Sequence, residues 1–187
     1  MTGIRCKELF MGQDIHVYLA RKTSEYAQKN GCEEYYPVEL FSKYYNNDDD
    51  SVVYEYAQPY NGRNYELFSW LMDGNGRVYV DESACPVGLY FDYDGLVPQK
   101  ILKEWEDWEE GGAYGYNAVM LSDIINHYNA ISSTKYAVDD MLGSHSSNNE
   151  LKDSIGDFIE DIKRYCSIEG AYYLTPQDIL VVYWFDN

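Results

Sequence analysis

Along Asp14-Ile15-His16-Val17-Tyr18-Leu19-Ala20-Arg21-Lys22 apolar and polar residues alternate. The alternation predicts a strand with Ile15, Val17 and Leu19 on one face and Asp14, His16 and Tyr18 on the other. The C-terminal end has a different pattern. Ile179 to Phe185 (ILVVYWF) is almost continuously apolar and predicts a central strand buried on both faces. Helical spacing appears between these two. Leu151, Ile155, Phe158, Ile159 and Ile162 form an apolar stripe over residues 150–165. Leu67, Phe68 and Leu71 define a helix from Asn64 to Met72, with Gly74 just past its end. Pro98 is placed to start a third helix around ILKEWEDWEE, which Gly111-Gly112 stops. Ser122 caps a fourth, carried to Ala130 by Ile124, Ile125 and Tyr128.

Weaker signals fill the rest. Residues 33–41 (EEYYPVELF) read as a strand that Pro37 confines to a sheet edge. Residues 52–57, 76–80 and 89–93 read as short strands, and 46–50 and 143–149 as polar loops. Strands and helices mix without regular βαβ alternation, so the expected class is α+β: a mixed, mostly antiparallel sheet with several packed helices. At 187 residues the chain is expected to form one domain over 11–187. Residues 1–10 precede a second methionine, Met11, and are expected to be a peripheral extension or to lie upstream of the true start.

Charge changes the picture most. The chain carries 32 Asp+Glu against 14 Lys+Arg, a net charge of −18, yet 17% of it is aromatic and 21 residues are tyrosine. Acidic chains poor in aromatics stay unfolded, whereas this one has the apolar content to build a core. Residues 1–45 are balanced, with six basic and six acidic side chains, so the whole excess lies in 46–187. Such a surface steers cationic partners and repels phosphate. The expected partner is therefore a basic protein, with no direct nucleic-acid binding, no membrane association and no cofactor. The cysteines (Cys6, Cys32, Cys85, Cys166) are too scattered for a zinc or disulfide framework and read as reduced, mostly buried thiols. No stretch reads as a signal peptide or membrane span, and the expected location is the cytoplasm of the cell that makes it.

Three strings carry a resemblance. Met11-Gly12-Gln13-Asp14-Ile15-His16-Val17-Tyr18 resembles the M-G-x-D-I-H-x-Y opening of small proteins encoded by phages and prophages. Arg63-Asn64-Tyr65-Glu66-Leu67-Phe68 resembles their R-x-Y-x-L-F segment, and Val181-Val182-Tyr183-Trp184-Phe185-Asp186-Asn187 resembles their ending. The resemblance implies a mobile-element origin and no catalytic residues. Small acidic phage proteins include inhibitors of bacterial defence, anti-CRISPR and antirestriction proteins among them.

Three constellations are candidates for function. The first is acidic. Asp153, Asp157 and Asp161 recur every four residues with Glu160 beside them, a repeat of ~6 Å along a helix, near phosphate spacing on a nucleic-acid strand. Glu104, Glu106, Asp107, Glu109 and Glu110 form a second cluster interleaved with Trp105 and Trp108. These eleven residues are the expected contacts for a nuclease or its guide-RNA complex; a solvated helix face is the bland alternative. The second candidate is a metal site: Asp14 with His16, and Asp92 with Asp94, each pair two apart and so on one face of a strand. Their convergence would suit a metal-dependent hydrolase; nothing in the spacing forces it, and a hydrogen-bonded structural His16 and a turn at Asp92-Tyr93-Asp94-Gly95 are the bland alternative. The third is tyrosine-rich. In strands, Tyr35-Tyr36, Tyr44-Tyr45 and Tyr172-Tyr173 must each point one ring outward, which fits a homodimer or a self-assembling structural protein; an AT-rich genome, which encodes many Tyr and Asn residues, is the bland alternative.

Overall fold

The computed structural model describes residues 14–38, 41–45, 52–56, 58–60, 62–72, 78–80, 94–131, 138–140, 145–146, 148–168 and 175–186. In chain order its first elements are strand β1 (Asp14–Lys22), helix α1 (Glu25–Lys29), and strands β2 (Tyr35–Pro37), β3 (Phe41–Tyr45) and β4 (Val52–Tyr56). Helix α2 (Tyr65–Leu71), strand β5 (Val78–Val80), helix α3 (Gln99–Glu110) and strand β6 (Tyr114–Met120) follow. Helix α4 (Leu121–Ile131), strands β7 (Val138–Asp140) and β8 (His145–Ser146), helix α5 (Asn148–Ile168) and strand β9 (Ile179–Asp186) complete the order.

An antiparallel four-stranded sheet, ordered β2-β1-β9-β6, organises these elements into an α+β fold. The β9 strand is central, as its unbroken apolar run requires, and pairs with β1 from Asp14↔Asp186 to Arg21↔Ile179. Each face of β9 feeds a different core. Val181, Tyr183 and Phe185 join Ile15, Val17 and Leu19 beneath α2, α4 and α5. Leu180, Val182 and Trp184 join Ala20, Tyr35 and Ala118 beneath Ile101 of α3. Among the described residues the result is three layers: α2, α4 and α5, the sheet, and α3 on the far side.

The strongest sequence patterns match what is seen. The stripe of α5 (Leu151, Ile155, Phe158, Ile159, Ile162) is buried throughout. Asn64 caps α2, its side chain accepting from the Leu67 amide at 3.0 Å, while its amide nitrogen donates to Ser154 Oγ at 2.7 Å and joins α2 to α5. Pro37 ends β2, an edge strand that pairs only with Ala20–Lys22. Tyr35 is buried and Tyr36 is 54% exposed, as alternation requires. The side chains of Tyr44 and Tyr45, Tyr172-Tyr173, and the strand expected at 89–93 lie outside the described residues.

Several expectations need correction. The polar stretch 143–149 is not all loop: it holds β8, and α5 begins at Asn148. Of the cysteines, Cys166 is buried and Cys32 is exposed, while Cys6 and Cys85 lie outside the described residues. Strand β6 has no counterpart among the expected elements. Its pairing with β9 shifts register between Tyr114 and Asn117, a bulge that breaks the alternation. Gly115 sits in that bulge at φ +68°, and a Cβ there would lie 2.9 Å from Phe185 Cδ2. Both the backbone and the neighbouring ring therefore favour glycine.

Candidate functional site

Asp14 and His16 project from the same face of β1, as their spacing requires, toward the α3 side of the sheet. They do not act as a pair. Arg63, just before α2, donates to both oxygens of Asp14 in a fork, with Nη2 at 2.7 Å from Oδ2. The hydrogen bonding from Arg63 outweighs the opposing effect of burial and, with the smaller effects of the Arg63 and His16 charges, holds the Asp14 carboxyl below its usual range.

His16 is enclosed, with 12% of its side chain exposed. Its ring lies 4.1 Å from the Trp108 ring and 6.0 Å from that of Trp184. Nδ1 is 3.2 Å from the Gln58 amide nitrogen, so with that amide donating, the ring proton sits on Nε2. Nε2 in turn lies 3.3 Å from Asp186 Oδ2, within ion-pair reach but outside hydrogen-bond geometry. Among the described residues no three His, Cys, Asp or Glu side chains are grouped to hold a metal ion. Asp92 lies outside those residues, and Asp94 starts a short 3-10 turn (Asp94–Leu96) with its side chain undescribed.

The Asp14–Arg63 pair gives a pH signature. A carboxylate whose folded pKa is lowered stabilises the fold above its unfolded value of ~3.9 and loses that contribution as pH falls through the folded value. Both partners are about half exposed, at 47% and 58%, so the contribution is modest. Asp14→Asn is expected to lower Tm by about 1–3 °C at pH 7, a difference that shrinks as pH falls through the folded value and vanishes once the carboxyl is protonated in both states. Thermal unfolding followed by circular dichroism across that range checks this. A gap between the two proteins that persists at the acid end would contradict the assignment.

The acidic helices separate into faces. In α3, Ile101, Trp105 and Trp108 share one side. The Trp105 ring lies 5.1 Å from Tyr116 and 5.7 Å from Trp184, so both indoles are half-buried against the core. Glu106, Asp107, Glu109 and Glu110 are exposed, and Glu104 is half-buried at the flank. Residues interleaved in sequence thus differ in burial: the half-buried indoles hold the helix on the sheet, while Glu106, Asp107, Glu109 and Glu110 face solvent. No basic residue occupies the last turn of α3. Glu109 and Glu110 stand at the negative end of the helix dipole, where carboxylates are disfavoured.

Helix α5 presents Asp153, Asp157 and Glu160 outward, with Asp161 partly covered. Glu160 accepts from Lys163 at 2.8 Å, and Asp161 pairs with Arg164, so half of this row is locally neutralised. Tyr60, buried edge-on to Phe158, has its hydroxyl pushed up to about 12 by burial and then by Asp161 and Asp157. Because α3 and α5 cover opposite faces of the sheet, the two acidic rows do not form one continuous strip.

Sequence reasoning missed Arg63, Gln58 and Asp186 as partners of the Asp14–His16 face. The available signal was the set of three resembling strings, which meet here. Asp14 pairs with Arg63, His16 faces Asp186, and the rings of Phe68 and Phe185 lie 5.4 Å apart. No family model, curated protein or solved structure matches the chain. Among the described residues no helix is long and apolar enough to cross a membrane.

Proposed function

We propose that the protein acts by binding, as a phage- or prophage-encoded inhibitor of a bacterial defence nuclease. Its carboxylates occupy a basic nucleic-acid-binding surface in place of phosphates, with a CRISPR-type guide-RNA complex the leading target. The observation that carries this reading is the outer face of α3. Four exposed carboxylates crowd its C-terminal half with no cation in the last turn, at the end where the dipole opposes them. Stability alone selects against that arrangement, whereas a cationic partner rewards it. The contact set is Glu104, Glu106, Asp107, Glu109 and Glu110, followed by Asp153, Asp157, Glu160 and Asp161 on α5. Trp105 and Trp108 act from beneath by holding α3 on the sheet. The test is competition between this protein and nucleic acid for the nuclease, measured at several salt concentrations.

A further inference from the structure

The turn that ends α1 reads Lys29-Asn30-Gly31-Cys32. Asparagine is a chemically labile residue, most of all before glycine. The nitrogen of the following residue attacks the side-chain carbonyl, and a residue without a Cβ crowds that attack least. The chain holds three Asn-Gly pairs, of which Asn61-Gly62 and Asn75-Gly76 lie wholly or partly outside the described residues. Asn30 and Gly31 are both exposed, and a Cβ built on Gly31 would meet nothing within 4 Å. The pair is open to solvent, yet its resting geometry opposes reaction. Cyclisation needs the Gly31 nitrogen nearly eclipsed with Asn30 Cβ about the Cα–C bond, and a ψ of 16° at Asn30 turns it far from there. The Gly31 amide donates to the Gln28 carbonyl at 3.0 Å, and Asn30 Nδ2 donates to the Tyr26 carbonyl at 2.7 Å. Both bonds hold the reacting groups apart. What maintains them is weak: α1 has five residues, none buried, and its cap is a 3.3 Å hydrogen bond from the Ala27 amide to Ser24 Oγ. A helix this short is not stable by itself, and an element without buried contacts opens at far lower cost than the whole fold.

We propose that Asn30 is a site of spontaneous deamidation, reached through local opening of α1. In the opened turn the Gly31 nitrogen loses its proton to solvent base and attacks Asn30 Cγ. The new C–N bond closes a succinimide, and the side-chain nitrogen leaves as ammonia. Water then opens either carbonyl of the ring, giving aspartate or the β-linked isoaspartate. Each conversion adds one negative charge to the chain. Isoaspartate also lengthens the main chain by a carbon, so the Gly31 and Cys32 amides no longer meet the Gln28 and Ala27 carbonyls. None of this chemistry depends on the inhibitor reading.

The test incubates the full chain at mildly alkaline pH, native and in urea, and then releases Tyr26–Glu33 with a glutamate-specific protease for mass spectrometry. Conversion of amide to acid is expected at Asn30 in both samples, about 10- to 1000-fold slower in the native protein, with isoaspartate exceeding aspartate. Ser24→Ala removes the cap of α1. It is expected to raise the native rate about two- to fivefold and to leave the rate in urea unchanged, with circular dichroism confirming that the variant is folded. Equal rates in the native and urea samples would mean that the turn does not hold Asn30 back. Native suppression beyond about 1000-fold, the range set by global unfolding, would mean that α1 does not open by itself. Aspartate without isoaspartate would mean direct hydrolysis and no ring. Any of these results overturns the proposal, as does a native rate that Ser24→Ala leaves unchanged.

Discussion

If the protein acts as the proposed inhibitor, reversing Glu106, Asp107, Glu109 and Glu110 to lysine together is expected to abolish inhibition of its nuclease while the protein stays folded. All four side chains are exposed, so none supports the core. Each reversal moves the charge by two units, taking the chain from −18 to about −10. A lost attraction plus a new repulsion on the order of 1 kcal/mol at each site compounds to a ~100- to 1000-fold weaker complex. Stability should move the other way. Lysines at 109 and 110 would sit at the negative end of the α3 dipole, where a cation is favourable by about 0.3–1 kcal/mol at low salt. Tm should therefore hold or rise. Loss of inhibition with unfolding would leave the surface argument unsupported, and full inhibition by the folded variant would refute it.

Trp184→Ala has the largest expected effect on the fold. Trp184 is fully buried in the central strand, stacked on Tyr18 at 4.7 Å and packed against Trp105 at 5.7 Å. It is the link between the sheet and the helix that bears the carboxylates. Truncation leaves a large cavity beneath α3 and should cost about 3–5 kcal/mol. For a chain of this size that is a fall in Tm of about 10–15 °C. Trp184→Phe keeps a ring in place and should cost less than half as much. Calorimetry of the two variants checks the order. An alanine variant as stable as the phenylalanine one would mean that the face under α3 is not a packed core.

Much of this architecture could be read from residue patterns because burial imposes them. The β9 run is apolar at every position because helices cover both faces of that strand. The α5 stripe is regular because one side of the helix meets the sheet. The β6 strand was invisible because Gly115 and Asn117 interrupt Tyr114–Met120, and a bulge accommodates the interruption only once β9 is alongside. The α4 helix starts directly at Leu121, without the expected cap at Ser122, because it continues from β6 with no intervening loop. The inward turn of Trp105 and Trp108 was legible in the spacing of Ile101, Trp105 and Trp108. Their sequence proximity to the glutamates suggested a shared surface, but half-burial against the sheet turns much of each indole away from the exposed carboxylates. The partners of Asp14 and His16 depended on register and tertiary placement: Arg63 is 49 residues from Asp14, and Asp186 reaches His16 only through the β1–β9 pairing. No local pattern encodes those meetings.

The most direct test of acidic mimicry is a competition measurement. A purified guide-loaded CRISPR nuclease is titrated with this protein at fixed target duplex, and the titration is repeated from low to high salt. The account predicts mutually exclusive binding, with added duplex displacing the protein. It also predicts an affinity that falls by orders of magnitude between about 50 and 200 mM salt, as phosphate-like contacts require. Simultaneous binding of protein and duplex, or an inhibition constant indifferent to salt, would contradict it.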